Sequence, residues 1–421
     1  MMEFSNELLA IADRAQSALS AEFAHVDAVS HRNTARVMDA FARHRVDTAC
    51  FAGSSGYGYD DRGRDVLDAV FADVMGAEAA FARHSIVNGT HALAIGLFGL
   101  LRPGDVLLSI AGKPYDTLGE AIGIAGEAGN GSLADFGVEY RQIEMKDSRV
   151  LDLDAIAAAL RAEAGARVKV CFIQRSKGYL NRRTLTVEEI GEAVRLVKSI
   201  RPDCFVVVDN CYGEFTEDRE PPAVGADLAI GSLIKNPGGG MAETGGYLAG
   251  TKRAVELASY RLTVAGIGLE VGATLGQNKN MFRGLFYAPH TVAQALKTAH
   301  FAAHVFEQLG YAVEPAAHER RSDIIQTVIT GSAEGLCAFC RGIQAGSPVD
   351  AYVTPEPWAM PGYQDEVIMA AGTFVQGASI ELSADGPLKP PYTAFFQGGL
   401  TFESGRIGVL SAAAEMLRIQ K

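Results

Sequence analysis

The run Cys204-Phe-Val-Val-Val-Asp209, followed further on by Gly231-Ser-Leu-Ile-Lys235-Asn-Pro-Gly-Gly-Gly240, decides how this chain folds. The first segment is apolar at consecutive positions, as is Val168-Lys-Val-Cys-Phe-Ile173 but for one lysine. Unbroken apolar strands of this kind are buried on both faces, which makes them strands of a parallel sheet covered by helices. Working outward, further strands are expected near 81–87, 105–110, 138–142 and 227–231, with helices near 64–76, 88–101, 117–126, 152–163 and 186–200. The pattern is α/β, with a mostly parallel central sheet sandwiched by helices.

Three regions follow. Residues 1–48 read as a helical arm, 49–288 as the large α/β domain and 289–421 as a smaller α+β domain that opens with a helix over roughly 289–308. Within the large domain, Gly53-Ser-Ser-Gly-Tyr-Gly58 is too rich in glycine for a helix and marks a loop.

Composition limits the function. The 421 residues are 48% hydrophobic and 21% charged, the balance of a folded protein with a large core. A net charge of -12 without a long basic run argues against nucleic acid as a partner. No segment reaches the roughly 20 apolar residues needed to cross a bilayer, so no membrane partner is expected. The acidic start Met1-Met2-Glu3-Phe4-Ser5-Asn6-Glu7 lacks the pattern of an export signal, and six scattered cysteines suit a reducing cytoplasm. Cys337 and Cys340 form a lone Cys-x-x-Cys without two further ligands, which reads as core and not as a metal site.

The chemistry starts at Asp209. A carboxylate at the C-terminal end of a parallel strand faces the crevice where α/β proteins bind ligands, and Lys235 arrives on the neighbouring element. Pyridoxal phosphate needs this pair: a carboxylate to keep its ring nitrogen protonated and a lysine to hold its aldehyde as a Schiff base. Its phosphate needs a helix N-terminus with small residues, and Asn88-Gly89-Thr90 opens a helix directly after a strand. Ser232 adds a hydroxyl, and Tyr115 offers a ring to stack on the cofactor.

These residues resemble the cystathionine γ-synthase and methionine γ-lyase group, most closely its aluminium-resistance branch. The resemblance spans nearly the whole chain and rests on the segments Gly56–Asp65, Gly112–Glu120, Gln174–Tyr179, Asp209–Phe215, Ser232–Gly240 and Ser383–Tyr392. It implies the aspartate-aminotransferase-like fold (fold type I), with pyridoxal phosphate as cofactor, Lys235 as the Schiff-base lysine and Asp209 at the ring nitrogen. It also implies phosphate binding by Gly89, Thr90 and Ser232, and ring stacking by Tyr115. A tyrosine and an arginine from a neighbouring subunit reach the phosphate in this group. They map to Tyr57 or Tyr59 and to Arg64, which implies a homodimer or homotetramer with shared sites. Arg175, beside Gln174, and Arg406 compete to receive the substrate carboxylate.

The implied activity is γ-elimination or γ-replacement on an amino acid with sulfur or oxygen at its γ-carbon, such as methionine, cystathionine, an O-substituted homoserine or canavanine. Lys235 would carry protons and Tyr115 would assist the leaving group. Asp60, Asp61 and Glu243 are candidates to meet a cationic leaving group. A β-lyase acting on cystathionine or cysteine conjugates would use the same residues. Ile234, where many decarboxylases carry histidine, disfavours a decarboxylase. A binding protein without catalysis, with residues 53–58 cradling phosphate, is the reading from another class.

Overall fold

The computed structural model describes residues 4–360, 363 and 365–420. Met1-Met2-Glu3, at the start of the expected arm, and Lys421, at the end of the expected small domain, lie outside these residues. The chain opens with α1 (Asn6–Ala18), α2 (Ser20–Arg43) and α3 (Arg62–Met75), then β1 (Ala79–Arg83), α4 (Gly89–Leu100), β2 (Val106–Ser109), α5 (Asp116–Ile122) and β3 (Glu139–Gln142). It continues through α6 (Leu153–Arg161), β4 (Val168–Gln174), α7 (Val187–Ile200), β5 (Phe205–Asp209), β6 (Leu228–Ser232), β7 (Gly246–Gly250) and α8 (Lys252–Leu262). The remainder is α9 (Asn278–Gln308), β8 (Ala312–Glu314), β9 (Ile325–Ile329), α10 (Ala333–Ala345), β10 (Val367–Ala370), β11 (Ser383–Pro387), β12 (Thr393–Gln397) and α11 (Phe402–Ile419).

Seven strands form the large sheet in the order β1-β7-β6-β5-β4-β2-β3. The five from β6 to β3 are parallel, and β7 alone runs against its neighbours β6 and β1. Val206, Val207, Val208, Val170, Cys171, Phe172 and Ile173 are fully buried. Their alternate side chains feed two cores: Val207, Val170 and Phe172 join α4 and α8 on one face, while Val206, Val208, Cys171 and Ile173 join α6 and α7 on the other. α4 is apolar nearly all round because it lies between the sheet and α8. A capping box of Thr186 and Glu189 fixes the start of α7.

The helix expected from about residue 289 begins at Asn278 and contains Pro289, so a single helix runs from one lobe into the next. Beyond it, an antiparallel sheet ordered β10-β11-β12-β9-β8 buries one face beneath α10 and α11. Leu8, Ile11, Ala12 and Ala15 of α1 join this small-lobe core, so the first helix of the arm packs on the far end of the chain. Cys337 and Cys340, on α10, are buried in that core as well.

Candidate active site

The parallel strands end at one crevice. β4 ends in Gln174, β5 in Asp209 and β6 in Ser232, with Gln174 directly beside Asp209 in the sheet register. This edge opens into a cavity of about 720 Å³, closed on the opposite side by residues of the small sheet. Gly89, Thr90, Tyr115, Asp209, Ser232 and Lys235 all line it, so six sequence-derived candidates meet in one place.

Each has a local cause. Asn88 caps α4 by accepting the His91 N–H at 2.8 Å, which leaves the first-turn N–H groups of Gly89 and Thr90 facing the cavity without intrahelical partners. A β-carbon on Gly89 would lie 3.4 Å from Cys211 Sγ and 3.6 Å from Ser232 Cβ, so a larger residue would narrow the floor of this cradle. The Thr90 hydroxyl bonds to the Tyr115 hydroxyl and lies 3.2 Å from that of Thr117. The Tyr115 backbone N–H donates to Gln174 Oε1 at 2.7 Å, which ties the aromatic wall to the sheet edge. Burial raises the Tyr115 phenol above its ordinary range despite hydrogen bonds from Thr117 and Thr90, so it stays protonated.

Asp209 is buried, and one carboxylate oxygen accepts the Cys211 N–H at 3.1 Å. Burial raises its pKa, an effect that the Cys211 hydrogen bonds and the Lys235 charge only partly offset. Such a carboxyl gains most from a cationic partner inside the cavity. Lys235 Nζ donates to Tyr212 Oη at 2.5 Å and to Ser379 Oγ at 3.3 Å, and lies 4.2 Å from the Tyr212 ring centroid. Burial works against charge on this amine, but Tyr212 and Cys211 beside it raise it overall.

Tyr212 and Ser379 were not singled out in the sequence. Tyr212 stands three residues after Asp209, at a positive φ of 72° that a tyrosine rarely adopts. That backbone turn sends its hydroxyl back to the lysine. Its place just after the acidic strand end was the available signal.

A donor set of this kind suits pyridoxal phosphate: helix N–H groups and hydroxyls for a phosphate, a buried carboxylate for the ring nitrogen, a neutral aromatic for the ring face and an amine for the aldehyde.

Other candidates fall elsewhere. Arg175 is fully buried behind the cavity, where its guanidinium donates to Asn210 Oδ1 and Glu217 Oε1 at 2.8 Å each. It is tied to structure and does not reach the cavity to receive a substrate carboxylate. Arg406 lies on α11 and pairs with Asp13 of α1 at 3.1 Å, joining two helices away from the cavity. Arg64 is buried and donates to the carbonyls of Gly58 at 2.6 Å and Gly272 at 3.2 Å, so it clamps the glycine-rich loop instead of facing this cavity. Tyr57 and Tyr59 on that loop are 75% and 62% exposed, do not line their own chain's cavity and have ring centroids 5.6 Å apart. Asp61 is held by Thr274 and caps α3, Glu243 accepts from Asn280, and Asp60 sits on the loop; none of the three lines the cavity. The loop itself closes against residues 272–276, with Gly53 packed on the backbone of Gly276.

Comparison with known proteins agrees with this geometry. An uncharacterized protein of Bacillus subtilis (strain 168) is 51% identical over 395 residues, covering 94% of this chain and 93% of the relative. The crystal structure of a carbon-sulfur lyase involved in aluminum resistance from Clostridium novyi NT superposes with a TM-score of 0.94 at 48% identity, covering 99% of this chain and 96% of that one. A pyridoxal-5'-phosphate-dependent protein of Escherichia coli shares the fold at a TM-score of 0.62 and 16% identity, over 92% of this chain and 97% of its own. The fold is that of the fold type I pyridoxal-phosphate enzymes, and among the described residues no helix is long and apolar enough to cross a membrane. The family model for methionine gamma-lyase matches residues 8–417, and the chain belongs to that family of pyridoxal-phosphate-dependent lyases.

Proposed function

We propose that the cavity holds pyridoxal phosphate and removes or replaces a sulfur or oxygen substituent at the γ-carbon of an amino acid. The observation that carries this reading is the convergence of Lys235, Asp209 and the Gly89-Thr90-Ser232 cradle on one cavity. The similarity to a carbon-sulfur lyase over nearly the full chain supports it.

When bound, the cofactor supplies an electron sink that makes protons on the substrate's α- and β-carbons acidic. The protein does the rest. Gly89, Thr90 and Ser232 bind the phosphate, Asp209 faces the ring nitrogen and Tyr115 covers the ring. Lys235 would hold the aldehyde carbon until substrate arrives; its freed amine would then take the α-proton, pass that proton on, and so be free to take the β-proton. Tyr212 and Ser379 orient its amine by the two hydrogen bonds they make with it. The phenol of Tyr115, kept protonated by burial, stands ready to give a proton to the departing heteroatom.

With Arg175 and Arg406 placed elsewhere, Lys177 is the cation best suited to the substrate carboxylate. It lines the cavity, donates to the Glu314 carbonyl at 3.3 Å and forms no salt bridge among the described residues. The exposed Tyr57 and Tyr59 are assigned to the cavity of a second copy, which makes a dimer the smallest active unit.

Absorption spectroscopy tests the reading. Protein loaded with cofactor is yellow and turns over, and Lys235→Ala loses the lysine-bound band along with at least about 1,000-fold in kcat. A wild-type protein that stays colourless with cofactor overturns the assignment. Mass analysis of products from methionine, cystathionine and O-acetylhomoserine separates the positions of attack: a four-carbon keto acid supports γ-elimination, and pyruvate shows attack one carbon nearer.

A further inference from the structure

The small sheet presents a polar face to the cavity. Ser383 and Asp385 project from the same side of β11, and Gln397 of β12 lies directly opposite Ser383. All three line the cavity, while the intervening Ala384 and the neighbouring Phe396 turn into the small-lobe core. Ser383 and Gln397 are only 6% and 4% exposed. Ser383 Oγ, Asp385 Oδ1 and Gln397 Oε1 have no hydrogen-bond partner among the described residues. Three buried oxygens on one wall of a binding cavity, none paired, mark a place where a ligand supplies the donors.

The surroundings select the kind of donor. Asp385 forms no salt bridge among the described residues, and the charged or titratable groups acting on it are Tyr179, by a hydrogen bond, and Lys235. The rings of Tyr179 and Tyr363 stand 5.5 Å apart in the same wall, offering aromatic faces that favour a cation. Lys235 acts electrostatically on Asp385, so this wall and the reacting amine share one space.

We propose that Ser383, Asp385 and Gln397 receive the far end of the substrate side chain, and that this end is a protonated nitrogen group, an ammonium or a guanidinium. The proposal builds on the lyase reading above and narrows its substrate class. A side chain ending in a methyl group leaves all three oxygens unpaired in the complex, whereas an N–H-rich cation satisfies them and pairs with the carboxylate.

Two measurements on the full chain loaded with cofactor test it. The first compares turnover of methionine with that of S-(2-aminoethyl)homocysteine, which has the same leaving atom but an ammonium in place of the methyl end. Wild type is expected to favour the amine by about 10-fold or more in kcat/KM. Asp385→Asn, close in shape but uncharged, is expected to remove that preference, lowering kcat/KM for the amine about 10-fold more than for methionine. A wild-type preference for methionine, or an equal loss on both compounds in the variant, overturns the proposal.

The second is binding alone, by spectral or calorimetric titration of wild type with lysine and norleucine, which share a six-carbon chain, differ only by lysine's terminal ammonium and carry no leaving heteroatom. Tighter binding of lysine by about 10-fold supports the subsite even where neither sulfur compound turns over, an outcome that would fault only the lyase reading. Equal binding, or tighter norleucine, refutes the subsite whatever the reaction proves to be.

Discussion

The two walls of the cavity are built on opposite plans. On the large-sheet wall, the polar side chains Thr90, Gln174, Asp209 and Lys235 already have partners in the chain: Thr90 with Tyr115, Gln174 with Tyr115 and Ser176, Asp209 with Cys211, Lys235 with Tyr212 and Ser379. Behind it, Arg175 pairs with Glu217 and Asn210 and fixes the strand ends from beneath. On the small-sheet wall, three buried oxygens have none among the described residues. A paired wall keeps its geometry whether or not a ligand is present, which is what proton transfer at fixed atoms requires. An unpaired wall gives up some stability and regains it only with the right ligand, which is what selection requires. On the proposed reading, chemistry and choice are carried by different sheets.

Breaking the paired wall has the larger consequence. Asp209→Asn keeps the shape of the side chain and loses its charge, so the ring nitrogen no longer has an anion to hold its proton. Steady-state kinetics should show kcat lower by about 100- to 1,000-fold with the yellow colour retained. An unchanged kcat would remove Asp209 from the chemistry.

Next in size is a pH effect on the unpaired wall. Burial pushes the Asp385 carboxyl up to about 7, against the lowering influence of the Tyr179 hydrogen bond and the Lys235 charge. Tyr179, Tyr363 and Cys340, from three different segments, are the other titratable groups near it; burial raises Tyr179 and Cys340 and raises Tyr363 to about 12, so all three are neutral throughout this range. Below pH 7 Asp385 takes up a proton and its attraction for a cation fades; above pH 7 it is ionised. The preference for an ammonium-ended over a methyl-ended substrate should therefore rise by up to about 10-fold between pH 6 and 8. A ratio flat across that window removes Asp385 from recognition.

How far the sequence discloses this division follows from the physics of each part. β4 and β5 are legible because burial on both faces demands unbroken apolar runs, and a carboxylate ending such a run points into the crevice. The strand β7, Gly246-Tyr-Leu-Ala-Gly250, is short and bounded by glycines, and it lies antiparallel between β6, the strand just before it, and β1, far away in the chain. β11 reads as a turn, Ser-Ala-Asp-Gly-Pro, and becomes a strand only because β10 and β12 bracket it. Arg175 illustrates why arginines mislead: nothing around it reveals that Asn210 and Glu217, which occupy its guanidinium, lie 35 and 42 residues away. Asp385 belongs to a segment visible in the sequence, but that its Oδ1 finds no partner among the described residues is a property of three-dimensional packing.

The smallest expected effect is also the sharpest for the comparison, because its sign differs between the walls. Ser383→Ala deletes a buried hydroxyl whose oxygen has no partner, so the folded state loses a desolvation cost and nothing else. Chemical denaturation without ligand should show a gain of about 1 kcal/mol. Thr90→Val deletes a hydroxyl that bonds to Tyr115 and Thr117, and should lower stability by about 1 kcal/mol while keeping nearly the same volume. Thr90→Val puts a methyl where the hydroxyl was and Ser383→Ala vacates the space of a single oxygen, which leaves the pairing of the deleted oxygen as the main difference between them. If Ser383→Ala costs as much as Thr90→Val, the serine is satisfied in the folded protein, and the small-sheet wall is as complete without a ligand as the one it faces.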